Sequence, residues 1–304
     1  MAKTMHDISG FAGTLWDREF LTSFKQRDGI YNYFRTKMVP PGIKTVNVPI
    51  FGGLTANSWT PGAGNEVTLQ AGTRSTVAIT LDQAKETSFL TDNVEALQSA
   101  VDDRAAAVEE ITNALLAAVD TSVLNMCASY TSLPAGQKFA TATELADTAA
   151  ATVATEVERL IMEGCAKLDT LLGTSVGNRF VVVDSWLYRR LLAASGKQSP
   201  EIAGGNFAYS SGLANPIQGC KIVPAATTSR SYDSYNTRTS VKMYLAVPSA
   251  IAVGIQQLPD LAVTYEGLLR SQLVSAGIVY GLKEAVSNGF IELTVKMDGN
   301  VFGL

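Results

Sequence analysis

Two hydrophobic periods divide the chain. Between residues 44 and 86 the period is two. Val46, Val48 and Ile50 alternate with Thr45, Asn47 and Pro49, and Val67 and Leu69, then Val77, Ile79 and Leu81, repeat the pattern. Alternation over short runs predicts strands. The link Thr60-Pro61-Gly62-Ala63-Gly64-Asn65-Glu66 is dense in turn residues, so the strands form a long β-hairpin. Its tip, Ser58 to Gly72, holds only Trp59, Val67 and Leu69 as large apolar residues. A ribbon so poor in core residues is marginal alone in water and needs a surface to lie on.

From residue 91 to 130 the period becomes helical. Val94, Leu97, Val101, Ala105, Val108, Ile111, Leu115, Val119, Val123 and Met126 stand three or four apart, which puts them on one face. Thr91 or Asp92 is the expected cap, and no Gly or Pro interrupts before Pro134. The spacing predicts one helix of about nine turns, roughly 50 Å long. Asp102, Asp103, Glu109 and Glu110 occupy the other side. Acids in the N-terminal half of a helix favour solvent and the macrodipole, so a solvated face is expected there rather than a metal or acid–base site.

A second helix is predicted over 141–172. Thr141 and Glu144 have capping-box spacing, and Leu145, Ala149, Val153, Leu160, Ile161, Cys165, Leu168 and Leu171 form its stripe. Arg179-Phe180-Val181-Val182-Val183-Asp184-Ser185 is a continuous apolar strand ending in a helix cap, with Trp186, Leu187, Leu191 and Leu192 on the short helix that follows. Residues 196–216 are rich in Gly, Ser and Asn and predict a surface loop. Strands are then expected at Ile217–Val223, Val241–Val247, Ala250–Ile255, Leu261–Tyr265, Ile278–Tyr280 and Phe290–Met297. The order is that of an α+β protein.

Ahead of all this, residues 1–13 look flexible. Thr14 and Asp17 can open a short helix whose Trp16, Phe20 and Phe24 share one stripe. Such a stripe is ordinarily packed within its own domain; the functional alternative is an arm whose aromatic face docks on a neighbour.

Composition narrows the classes. The chain has 304 residues, 46% hydrophobic and 17% charged, which is an ordinary globular balance. A net charge of −4 argues against a protein built to grip nucleic acid through its phosphates. Cys127, Cys165 and Cys220 are scattered with no CxxC, as expected of buried thiols in a reducing compartment. The N-terminus lacks the apolar core of a signal peptide. The window Tyr244–Ile255, broken by Pro248 and Gly254, is too short to span a bilayer, so no membrane is expected.

Candidate chemistry is sparse. The one histidine, His6, sits in the flexible-looking N-terminus, where no scaffold can hold it for a catalytic triad, and a histidine-rich metal site is excluded. Gly196-Lys197 lacks the rest of a phosphate loop, and Gly62-Ala63-Gly64 lies in a hairpin rather than between strand and helix. No catalytic, cofactor-binding or metal residue is assigned, no cofactor is expected, and an enzyme is not expected.

The order of elements is itself informative. Leu90-Thr91-Asp92-Asn93-Val94-Glu95-Ala96-Leu97-Gln98 resembles the start of the spine helix in major capsid proteins of tailed bacteriophages. Val181-Val182-Val183-Asp184-Ser185-Trp186-Leu187-Tyr188 with Leu191-Leu192 resembles that family's axial strand and helix. Asn215-Pro216-Ile217-Gln218-Gly219-Cys220-Lys221-Ile222 resembles its glycine-marked strand, and Tyr280-Gly281-Leu282-Lys283 its closing segment. The resemblance covers about residues 14–304, and encapsulin shells share the fold.

The resemblance implies a tailed-phage capsid fold. Its parts would be an N-terminal arm with a short helix (1–43), an extended hairpin loop (44–90) and a peripheral domain with the spine helix (91–140). An axial domain of mixed sheet and helices (141–260) and C-terminal strands returning to the peripheral domain (261–304) would follow. It implies a subunit that assembles with itself into hexamers and pentamers of an icosahedral shell around double-stranded DNA. That shell would be the virion capsid, its subunits made in a host bacterial cytoplasm. A fused scaffolding segment has no room before the arm, so a separate scaffolding protein is expected, with a portal and a decoration protein as further partners. Packaged DNA would lie near by non-specific proximity, and mild acidity suits a wall that does not stick to it.

The candidate inter-subunit residues are Trp16, Phe20 and Phe24 on the arm, Trp59, Pro61 and Glu66 at the hairpin tip, and Arg74, Lys85 and Glu86 near its base. Simple solvation is the competing account of those last three charges. Two other functions stay open: an encapsulin-like shell with protein cargo, and a soluble carboxylate-dependent α+β enzyme with the hairpin as a lid.

Overall fold

The helical repeat folds as α1, Asp103–Ala128, a rod of 26 residues and about 39 Å. The computed structural model describes residues 29–52, 57–58, 72–92, 103–130, 133, 135–145, 150–173, 177–193, 217, 219–225, 230–232, 238–266 and 271–297. The aromatic arm stripe, the hairpin tip, the stretch 93–102 with Val94, Leu97, Val101 and Asp102, and the loop 196–216 lie outside them.

Val108, Ile111, Leu115, Val119 and Val123 of α1 are buried, while Glu109 and Glu110 are exposed, as the spacing predicts. Thr91 and Asp92, the expected cap, stand in a strand, and the stretch between them and α1 lies outside the described residues. They close strand β4, Gln83–Asp92, and pair with Gln272 and Ser271. Val108–Ala128, with mean hydropathy 1.3, is by length and composition long and apolar enough to cross a bilayer. It is a longer apolar stretch than Tyr244–Ile255. Its apolar residues face a sheet and its other side carries acids, the pattern of a core helix in a folded domain.

Two larger sheets share one continuous core. The first has four strands in the order β1 (Arg35–Met38), β10 (Ile251–Glu266), β11 (Ser271–Glu284) and β4, with β1 parallel to β10 and the rest antiparallel. The second has six. Its path is β5 (Lys138–Ala140), β12 (Phe290–Lys296), β9 (Arg238–Ala246), β6 (Arg179–Asp184) and β7 (Cys220–Ala225), and β8 (Arg230–Tyr232) pairs with β9. A separate ribbon pairs β2 (Thr45–Gly52) with β3 (Thr73–Thr80). The runs Ala250–Ile255 and Leu261–Tyr265 are one strand, β10. Its register shifts between Ile255 and Asp260, and Pro259, which has no N–H to give, falls in that irregularity. β10 therefore passes position 260 without a break, and β12 goes back to the six-stranded sheet.

Helix α2, Ala150–Leu172, lies on the six-stranded sheet and buries Val153, Val157, Leu160, Ile161, Cys165 and Leu168. Thr141 and Glu144 do not cap it. The Lys296 N–H donates to Thr141 Oγ1 at 2.9 Å, the Thr141 N–H donates to the Thr294 carbonyl, and Leu145 bridges Met297. The edge of β12 offers backbone partners that a capping box would forgo. β6 is buried at every position, and the Trp186 N–H donates to Asp184 Oδ1 at 2.9 Å, so the strand ends in the expected cap of α3, Ser185–Ala193. The predicted strand from Ile217 begins instead at Cys220. Ile217 and Cys220 exchange backbone hydrogen bonds in a tight turn, and Gly219 holds the left-handed φ of 72° that the turn requires.

Val108→Asp places a charge under α1 and is expected to cost several kcal/mol, enough to unfold an ordinary domain. Glu110→Ala on the exposed side should change stability by less than about 0.5 kcal/mol. Denaturant melts of the two variants check the face assignment, and equal midpoints would contradict it.

Candidate functional site

The feature that projects from the core is the ribbon β2–β3, and its base shows how it is held. Val46, Val48, Ile79 and Leu81 bury one side of the ribbon in a small cluster with Val39 and Ala252. Val279 and Ala285 pack against that cluster. This gives the core-poor hairpin the surface that its composition demands.

The surface is the four-stranded sheet, whose two faces do different work. Val274, Ala276, Ile278 and Tyr280 of β11 alternate into the main core under α1, and Tyr280 Oη lies 2.7 Å from Ser122 Oγ of that helix. The opposite face meets the ribbon. There Gly254 and Gly281 stand directly opposite each other in the β10–β11 pair. A Cβ at 254 would meet the Leu81 side chain at 3.1 Å, and one at 281 would run into the Thr80 carbonyl oxygen. Two paired glycines thus open a flat window on which the hairpin base sits.

The root of the arm is fixed separately. A single 3-10 turn, Ile30–Tyr33, lies against α1, and the Tyr31 N–H donates to Asp120 Oδ1 at 3.3 Å. Phe34 meets Phe180 edge-on at 5.0 Å, and Lys221 lies over the Tyr33 ring at 4.6 Å. Burial raises the Asp120 carboxyl above its ordinary value of 3.8, against the hydrogen bonds from Ile30 and Tyr31 that lower it.

Of the candidate contact residues, Arg74, Lys85 and Glu86 are in described segments. Arg74 is opposite Phe51 in the ribbon. Lys85 and Glu86 belong to the next strand, β4, opposite Ile278 and Gly277, and are exposed. As successive strand residues they point to opposite faces, so they form no single patch. Trp16, Phe20, Phe24, Trp59, Pro61 and Glu66 lie outside the described residues.

Sequence patterning missed another set. Among the described residues, Met38 is 57% exposed on β1 and Phe89 is 41% exposed on β4. These are the two outer strands of the four-stranded sheet. Ile43, in the turn leading to β2, is exposed as well. An open cleft of about 260 Å³ between β1 and the ribbon has Arg35 and Lys37 beside Val48, Pro49, Ile79 and Ala252. Cations over an apolar floor provide contact, not acid–base or nucleophilic chemistry. The signal was available as apolar residues at strand positions, but only the strand order shows that those strands are edges.

Two expected outcomes follow. Gly281→Val should lift the ribbon from the sheet, costing about 3 kcal/mol and lowering hydrogen-exchange protection over 45–52 and 73–80 more than in α2. Equal loss everywhere would contradict the window. For Asp120 the folded carboxyl binds its proton more tightly than the unfolded one. Its stability contribution is full below the ordinary carboxylate range and falls as pH rises through the raised value. Asp120→Asn should therefore match the parent near pH 3 and be at least as stable at pH 7 in thermal melts. A deficit that grows with pH would contradict this.

No family model matches the chain, and no curated protein matches it in sequence. Its fold is nonetheless shared with solved structures. The capsid of cyanophage P-SCSP1u aligns with a TM-score of 0.66 at 18% identity, over 90% of this chain and 89% of that one. The capsid of Ralstonia phage GP4 aligns with 0.66 at 12% identity, over 89% of each chain. A virus-like particle from Pyrococcus furiosus aligns with 0.55 at 11% identity, over 94% of this chain and 99% of that one. The chain has the α+β fold of these capsid and particle proteins, with the projecting ribbon, the long helix under its sheet and the six-stranded sheet beyond.

Proposed function

We propose that the protein is a major capsid subunit, a structural protein whose copies assemble into hexamers and pentamers of an icosahedral shell around double-stranded DNA. The observation that carries the reading is a separate two-stranded ribbon seated on the glycine window of the four-stranded sheet, in a chain with the fold of phage capsid proteins. The buried cluster holds the base of that ribbon, and in this reading the rest of the hairpin reaches a neighbour. Edge strands β1 and β4, with Met38 and Phe89 exposed, offer further contacts of the kind a closed assembly covers. The helix α1 keeps the peripheral part stiff.

The reading makes the chain structural rather than catalytic and puts its working place in the virion capsid, after synthesis in a bacterial host's cytoplasm. It carries a separate scaffolding protein, a portal and a decoration protein as partners, and DNA as a neighbour without specific contacts. The arm residues Trp16, Phe20 and Phe24 and the hairpin residues Trp59, Pro61, Glu66 and Arg74, with Lys85 and Glu86, are its proposed contacts. Similarity to the Pyrococcus particle supports a second reading, a shell with protein cargo, at the lower TM-score of 0.55. Nucleic acid copurifying with the shells separates the two.

Replacing residues 58–72 by a short Gly-Asn turn should leave a soluble subunit with near-native circular dichroism, because the hairpin base keeps its cluster. Light scattering should show that this subunit no longer builds shells where the parent does. Normal assembly of the truncated chain, or its failure to fold, refutes the role given to the hairpin.

A further inference from the structure

Of the three cysteines that the sequence scatters, the fold brings two together. Cys165 and Asp169 are one turn apart on the same side of α2. Arg179 and Cys220 are direct partners in the parallel pair β6–β7. Arg179 Nη1 donates to Asp169 Oδ1 at 2.9 Å, with the Arg179 side chain only 8% exposed. That ion pair clamps the helix row 165/169 over the strand row 220/179. The clamp leaves Cys165 over Cys220, both fully buried, and a hydrogen-bond interaction between the two thiols is the first influence on the acidity of each.

We propose that Cys165 and Cys220 are a disulfide-forming pair, a covalent clasp between α2 and β7 that a peroxide-class oxidant closes. The polarity of the pair is set by its surroundings. The hydrogen bond from Cys220 lowers the Cys165 thiol despite burial, and the Arg179 guanidinium acts in the same direction. The same hydrogen bond, with burial, pushes the Cys220 thiol up. Cys165 is thus the sulfur that reacts first. Its thiolate attacks one oxygen of hydrogen peroxide, the O–O bond breaks, and the departing hydroxide takes a proton and leaves as water. Cys165 is then a sulfenic acid. The Cys220 sulfur attacks the Cys165 sulfur, the S–O bond breaks, and the Cys220 proton leaves with the hydroxide as a second water. Two thiols have become one disulfide and one peroxide has become two waters. A water-sized oxidant suits a pair that is shut off from solvent, and the reaction proceeds no faster than the local opening that admits it. Cys127 stays out of the reaction, because burial on α1 holds its thiol protonated. The clasp does not depend on shell formation, and its test has no assembly readout.

The full-length reduced protein is treated with hydrogen peroxide, quenched, unfolded, alkylated with N-ethylmaleimide and weighed. The expected result is a loss of two hydrogens, a single alkyl group on Cys127, and a proteolytic fragment linking Cys165 to Cys220. The unfolding temperature should rise by several degrees and fall back on reduction with dithiothreitol. Cys220→Ser should stop the reaction at a Cys165 sulfenic acid that dimedone labels. Alkylation of all three thiols after treatment overturns the proposal. So does a Cys165 sulfinic acid beside a free Cys220, or a linkage through Cys127.

Discussion

The close approach of the ribbon to the paired glycines Gly254 and Gly281 is the constraint on which the rest depends. A strand pair that carries a helix on one face must present something to water or to protein on the other. Here the helix face is filled by Ile251, Val253, Ile255, Val274, Ile278 and Tyr280, all in the main core. The other face is levelled by glycine and Ala252 so that Ile79 and Leu81 can sink against it. Any side chain at 281 would meet the Thr80 backbone, which cannot swing aside as a side chain can. The seating of the ribbon base on the sheet follows from that contact.

The second joint lies where the two sheets meet. Tyr130, just past the end of α1, stacks on Phe290 at 4.5 Å, and its hydroxyl donates to the Ala250 carbonyl at 3.2 Å. Gln137 gives its side-chain amide to the carbonyls of Ser287 and Phe290. These contacts tie the helix, the start of β10 and the start of β12 at one place. The two sheets therefore share one buried core. A shell wall needs that stiffness, and the proposed function draws on it.

Much of this was legible in the sequence because it rests on periodicity. The apolar face of α1, the buried β6 with its Asp184 cap, and the alternation of β2 and β3 are local patterns with a single packing solution. The misplaced elements fail for a common reason. Thr141 and Glu144 have a helix-starting spacing, but Thr141 is taken up by β12 far along the chain, as Thr91 and Asp92 are by β11. Pro259 hid the continuity of β10 in the same way, since a bulge is defined by a partner strand. The contact surface was the least legible part. Phe89 and Met38 are unremarkable as strand residues, and become candidates only once β1 and β4 prove to be edges. The meeting of Cys165 with Cys220 needed the same long-range information.

The central claim is that a rigid two-sheet body throws out a ribbon in order to bind copies of itself. Electron microscopy of the purified parent chain, over a range of salt and protein concentration, tests this most directly. The account predicts closed shells of uniform diameter with six-fold and five-fold capsomers. Only dispersed single subunits, in every preparation, would contradict it.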